Sequence, residues 1–354
     1  MGDIPITGDV AVIGAGLAGA LMAHELAEAH LQVVVLEAKK VAAGATGRGD
    51  RVAFLGTPEP YVKLASRVGE EKARRIWEAT VENLAEAQKL LEATGIAYRR
   101  CGSLRLATST EEAYALQRSA EALSALGIEA EIEDATDQGF VAALRTQDDL
   151  LFDPVVLTER LLDHPNITVQ DRTEVKSLES RGEDILIWAQ GAYMRSRAVV
   201  IAAGAYAVHL HPYFAQHLHV MPIQAANCLA EALPDEPIVW REGHLTLQPS
   251  PDGRPHRLVA WVRGVDDAVW PLLGEGARLF CPQATLGQVW AAWLAEGEDG
   301  LPLVGELPEE RGLYALVGLG GWGLSWAFTA ARRLASLMID GNPPSLLDIG
   351  RFAG

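Results

Sequence analysis

Val10-Ala11-Val12-Ile13-Gly14-Ala15-Gly16-Leu17-Ala18-Gly19 is the stretch from which the rest of the chain can be read. A short apolar run ends in three glycines at G-x-G-x-x-G spacing. Leu17, Leu21, Met22 and Leu26 then recur at helical spacing, and Val33 to Leu36 is a β-branched run suited to a buried parallel strand. Strand, glycine turn, helix and strand in one unit give the pattern a mechanical meaning. The first glycine permits the tight turn, the second lets a pyrophosphate approach the backbone, and the third lets helix and strand pack closely. The helix N-terminus offers free N–H groups and a partial positive charge to phosphate. Glu37 follows Gly19 by 18 residues, where an acid accepts from ribose hydroxyls. A carboxylate there repels a 2′-phosphate, so the unit is read as a site for a dinucleotide without one. An empty glycine turn would leave Glu37 unexplained.

Composition sets the class around that unit. The 354 residues are 49% apolar and 22% charged, an ordinary globular balance and too apolar for bulk disorder. The formal net charge of −17 disfavours nucleic acid and acidic lipid as partners. Cys101, Cys228 and Cys281 are odd in number and widely separated, which suits reduced thiols. Neither a signal-peptide pattern nor an apolar run of spanning length is expected from the chain, so the expected location is cytoplasmic.

Further along, helices are expected over 70–93, closed by Gly95, and over 110–126, stopped by Gly127. The first rests on Ile76, Trp77, Val81, Leu84 and Leu91. Residues 96–107 read as paired strands around Gly102. Asp153-Pro154 opens a helix to Leu162, with proline in its first turn. Short strands are expected at 167–169, 175–178, 185–188 and 199–203. Strands separated by turns follow from Val220 to Arg263, then a core strand over 313–319 and a helix over 324–339. The α/β segments are thus split in sequence, with antiparallel material between them.

Two further stretches bear on the dinucleotide. Ala42-Ala43-Gly44-Ala45-Thr46-Gly47-Arg48 is small and hydroxyl-bearing. Gly318-Leu319-Gly320-Gly321-Trp322-Gly323-Leu324 opens a second helix, whose N–H groups suit the anionic ring of a reduced flavin. With Glu37, Asp153-Pro154, the 199–204 strand and Asp299-Gly300-Leu301-Pro302, these stretches resemble the D-amino-acid oxidase superfamily of FAD-dependent oxidoreductases, the group of glycine and sarcosine oxidases and gamma-glutamylputrescine oxidase. The likeness covers nearly the whole chain.

The resemblance implies an α/β protein of glutathione-reductase-like topology: a Rossmann-type FAD domain (1–95, 146–210 and 298–354) with an inserted antiparallel-sheet substrate domain (96–145 and 211–297). It implies FAD contacts from Gly14, Gly16, Leu17, Ala18 and Gly19, from Glu37 and Ala38, and from Gly44, Ala45, Thr46 and Arg48. Val175 would touch the adenine, Ala203 and Gly204 the pyrophosphate region, and Gly321, Trp322, Gly323, Leu324 and Ser325 the flavin edge. The FAD is expected to be non-covalent, since Cys281 does not match the family's linkage cysteine. The implied reaction is oxidation of a small amino acid or amine to its imine by hydride transfer to flavin N5, with dioxygen or another electron acceptor; the lysine that relatives use toward dioxygen has no counterpart after Lys176.

Where related flavin loops run Arg-Asn-Gly-Gly, this chain reads Arg48-Gly49-Asp50-Arg51. Arg51, Arg241, Arg263 and Arg278 are candidate anchors for a substrate carboxylate, which a planar guanidinium grips in two bonds. Each could equally be a solvated arginine, and Asp50 could neutralise Arg51 into a loop clamp. His209, His211, His217 and His219 have no acid or cysteine to complete a site, so no metal is expected. Among Trp240, Trp261, Trp270, Trp290 and Trp293, core packing is the common role, with two or three available to line an amine pocket. A flavin-binding assembly or scaffold protein with weak or no catalysis is the rival reading. A nicotinamide dehydrogenase leaves the C-terminal glycines without a role.

Overall fold

The computed structural model describes residues 8–136, 139–189, 192–251, 253–261 and 269–352. Its first sheet is built on the opening motif. Strand β1 (Val10–Ile13), helix α1 (Leu17–Glu28) and strand β2 (Val33–Leu36) form a right-to-left neighbour set in a six-stranded sheet. Its order is Leu303–Glu306, Leu313–Val317, Ala198–Ile201, β1, β2, Ile167–Gln170, and only the first of these runs antiparallel to its neighbour. Val10, Val12, Val33 and Val35 point to one face with α1 and the helix Ala327–Asp340; Ala11, Ile13, Val34 and Leu36 point to the other. Apolar residues on both faces are what a doubly covered parallel sheet requires.

The second large sheet has eight strands, in the order Thr285–Gly297, Leu218–Leu229, His256–Trp261, Leu245–Gln248, Ile238–Trp240, Ser103–Ala107, Ala142–Thr146, Ala130–Glu133. Only the pairing of Ile238–Trp240 with Ser103–Ala107 is parallel. The helix Val269–Phe280 packs on one face, where Leu258, Ala260, Leu273 and Ala277 share a core. The opposite face carries Met221, Ile223, Trp261, Ala292 and Leu294.

The helical expectations correspond to Glu70–Thr94, ended by Gly95 at φ 70°, and Thr110–Ala125. Asp153 caps Pro154–Leu162, its Oδ1 accepting from Val155 N at 2.8 Å. Three readings need correction. Val81 points outward, 40% exposed, because the long helix buries a stripe that passes through Asn83 and Leu84 instead. Tyr98–Arg100 and Ser103–Ala107 do not pair with each other: the first joins Leu150–Phe152 and the second Ala142–Thr146. The last helix begins only at Ala327, after a 3₁₀ turn over Gly323–Ser325. Among the described residues no helix is long and apolar enough to cross a membrane.

Candidate active site

The parallel strands β1, β2 and Ala198–Ile201 are in register, so their carboxyl ends deliver Gly14, Glu37 and Ala202–Gly204 to one edge. Ligands of open parallel sheets bind outside such an edge. A Cβ on Gly14 would lie 2.5 Å from Ala202 O, and one on Gly19 would lie 1.9 Å from Gly14 O. Only glycine permits these contacts. Glu37 Oε2 accepts from Ala15 N at 2.9 Å, and Oε1 from Lys39 N at 2.8 Å, so the acid is tied to the turn that precedes α1. Its remaining lone pairs are available to hydroxyl donors. Thr173 N donates to Glu37 O at 2.7 Å, which brings Val175 close behind.

Helix α1 begins without a side-chain cap or an acid in its first turn. Thr46 Oγ1 meets its Leu17 N at 3.0 Å, bringing the Gly44–Arg48 segment over the helix start. A Cβ on Gly44 or on Gly204 would touch nothing within 4 Å, so the backbone there faces open space. A helix start of this kind, with backbone open on two sides, fits a pyrophosphate.

From this loop the chain runs onto the eight-stranded sheet. The Gly49 α-carbon looks at Ile223, whose Cδ1 would lie 3.5 Å from a Cβ there, and Gly321 looks at Trp261, whose Cε2 would lie 2.4 Å away. Ile223 and Trp261 are cross-strand partners. Two glycine segments about 270 residues apart in sequence therefore close on one patch of one sheet face. The patch is apolar, and the indole N–H groups of Trp261 and Trp322 are both buried without a partner. Such donors await an acceptor, which the carbonyl-bearing edge of a flavin supplies. Trp322 is stacked on Phe54 at 4.4 Å, with the Arg105 guanidinium 4.5 Å from its ring.

Side chains of the eight-stranded sheet hold the loop. Trp290 Nε1 donates to Arg48 O at 2.9 Å, Arg257 Nη1 to Gly49 O at 2.6 Å, and Gln248 Oε1 accepts from Arg51 N at 2.7 Å. Gln248 Nε2 also donates to Asp50 Oδ1 and, at 2.8 Å, to Thr246 Oγ1. Burial pushes the Asp50 carboxyl up to about 7 and draws the Arg257 guanidinium down to about 10. Arg48 itself donates to Ala43 O across the loop.

Of the four arginine candidates, only Arg51 is brought to this juncture, where it is buried and donates to Pro255 O at 3.4 Å. Arg241 lies in an exposed turn beside Glu275, and Arg278 is exposed on the helix covering the other sheet face. Arg263 lies outside the described residues. His211 caps the short helix Pro212–His217, and His217 stacks on Phe352. Ala38 and Gly323 take exposed and half-buried places beside Glu37 and Trp322.

Residue-level reading missed Asn83. Its Nδ2 donates to Leu324 O at 2.9 Å, and its Oδ1 accepts from Phe328 N and Thr329 N, which shapes the turn after the C-terminal glycines. A polar residue on the apolar stripe of a long helix was the available signal. Ser325 Oγ similarly accepts from Phe54 N at 3.0 Å.

Comparison with known families matches residues 9–337 to the FAD dependent oxidoreductase family DAO. The chain belongs to this family. Its cofactor is FAD, and the open helix start and the two unpartnered indoles fit it. The chain is 26% identical to the glycine oxidase of Geobacillus kaustophilus, over 88% of this chain and 87% of that one. It is 28% identical to the bifunctional protein MnmC of tRNA 5-methylaminomethyl-2-thiouridine biosynthesis from Thiobacillus denitrificans, over 98% of this chain but 59% of that one. A local match to the probable oxidoreductase OrdL of Haemophilus influenzae, 42% identical, spans 22% of this chain and 18% of that one. The crystal structure of the G. kaustophilus glycine oxidase superposes with a TM-score of 0.79 at 22% identity, covering 98% and 99% of the two chains, and so shares the fold. As a DAO-family member the chain is an FAD-dependent oxidoreductase with mixed parallel and antiparallel sheets.

Proposed function

We propose that this DAO-family protein oxidises a small amino acid or amine to its imine at the juncture between the two glycine segments. The convergence of Gly49 and Gly321 on the paired residues Ile223 and Trp261 carries this reading. We divide the chain into an FAD part (1–95, 146–210 and 298–354) and a substrate part (96–145 and 211–297). Gly14 to Gly19, Thr46 and Ala203–Gly204 would hold the diphosphate, Glu37 and Val175 the adenosine, and Gly321 to Ser325 the ring edge. FAD, when bound, supplies the two-electron acceptor for the substrate's C–H bond.

The chain's own part is to orient that bond and exclude water. Met221, Ile223 and Trp261 offer an apolar wall, and the clasp from Gln248, Arg257 and Trp290 fixes the loop against it. Arg51 is assigned to this clasp, since both its backbone N–H and its guanidinium turn to the substrate sheet. Non-covalent attachment is supported by the thiols. Burial pushes Cys101 to about 12 and Cys228 to about 11, so neither is a ready nucleophile. Cys281 packs with the core on the other sheet face.

The test is anaerobic mixing of FAD-loaded protein with glycine, N-methylglycine, alanine, proline, putrescine and benzylamine. Bleaching of the flavin by at least one of them is expected. If all leave the spectrum unchanged while FAD stays bound, a non-catalytic flavin-binding scaffold replaces this reading.

A further inference from the structure

We propose that Asp50 is the general base that converts the substrate's bound ammonium group into the free amine; this rests on the amine-oxidising reading above. Hydride loss from the carbon needs the nitrogen lone pair, and aliphatic amines are protonated at neutral pH. A proton acceptor at the juncture is therefore chemically useful, and few side chains there can serve.

Cross-strand partners and next-but-one residues share a sheet face. Thr246 pairs with Val259 and Gln248 with Arg257, so both lie on the face that carries Trp261 and Ile223. Asp50 is fastened to those two side chains through Oδ1 alone, by Gln248 Nε2 and by Thr246 Oγ1 at 3.4 Å. Its Oδ2 makes no hydrogen bond to a described residue. That oxygen is also absent from the sealed polar atoms that lack partners, so it keeps access to open space.

One oxygen is pinned and the other is presented beside the flavin loop. Arg257 is the charged group facing the carboxyl from the sheet, with Arg51 next to it and the Arg254–Asp153 pair beyond. Glu296, the other buried carboxylate near the glycine turn, stands at Gly320 and has a partner of its own. Burial sets Asp50 near neutrality, where a base can both accept and return a proton.

The step moves a proton only. A substrate N–H bond breaks, an O–H bond forms on Asp50 Oδ2, and ammonium plus carboxylate become amine plus carboxylic acid.

The experiment uses FAD-loaded full-length wild type, Asp50→Asn and Asp50→Glu with whichever amine of the panel above bleaches the wild type fastest. Reduction rates are followed without oxygen from pH 5 to pH 10. Wild type should rise through about pH 7 and level off. Asp50→Asn should be ~100-fold slower at pH 7, with the gap closing toward pH 10, where the free amine is supplied by solution. Asp50→Glu should recover most of the loss. Independently of turnover, infrared titration of the loaded protein should show a carboxylic-acid band that disappears near pH 7 in wild type and is missing from Asp50→Asn. Superimposable rate profiles, or an unchanged band, would overturn the inference alone. If no amine bleaches the wild type at any pH, the amine-oxidising reading falls and this inference with it.

Discussion

Asp50 links chemistry to stability through its buried carboxyl. Its folded-state value of about 7 lies above the unfolded range near 4, so the native state favours the neutral form. Its contribution to stability is full below the unfolded value and is lost as pH rises through the folded one. Wild type should therefore lose ~3 kcal/mol relative to Asp50→Asn between pH 5 and pH 8, read from denaturant unfolding at both. Parallel curves would mean that the carboxyl is solvated. Glu37 has a different task, bracing Ala15 N and Lys39 N while facing the ribose. Glu37→Ala should weaken FAD by ~1–3 kcal/mol, the scale of a lost charged hydrogen bond. Equilibrium titration by flavin fluorescence checks this, and an unchanged affinity removes Glu37 from the ribose.

At the scale of elements, the β1–α1–β2 unit depends on a contact that tolerates no side chain. A Cβ on Gly19 would overlap Gly14 O at 1.9 Å, so Gly19→Ala must push α1 away from β1. The expected cost is ~3 kcal/mol, together with loss of FAD binding, because the helix start would no longer face the turn. Thermal unfolding and a colourless preparation report the two effects. A yellow variant of wild-type stability would mean that the helix can shift freely. The C-terminal glycine turn is anchored differently, by Asn83 and Ser325 from within the core.

Across the whole molecule, FAD joins segments that no single element connects: the opening motif, the Gly44–Arg51 loop and the turn after Leu313–Val317. Binding to the native state alone should stabilise by ~4 kcal/mol at a thousandfold excess over Kd. Removing FAD should thus lower the midpoint of unfolding, and re-adding it should restore it in proportion to the logarithm of its concentration. A midpoint indifferent to FAD would show that the pieces are held without it. The strand order of both large sheets already brings these segments together, so loss of cooperativity is not expected.

The local signals in this chain were strong enough to be decided by sequence alone. Gly14, Gly16, Gly19 and Glu37 sit at spacings dictated by backbone sterics within one 30-residue unit, and the glycines around Trp322 carry their own turn chemistry. That much made the α/β class and FAD legible. The pairing of Tyr98–Arg100 with Leu150–Phe152 was not, since strand partners are chosen by distant residues rather than by the intervening Gly102. Nor could spacing tell Arg51 from Arg241 and Arg278, because an arginine's role depends on which sheet face it reaches. Asp50 reads as a surface charge until Gln248 and Thr246, almost 200 residues later, close over it. Tertiary structure alone decides this, because burial, and hence the protonation of a carboxyl, belongs to the packed interface and not to the local chain.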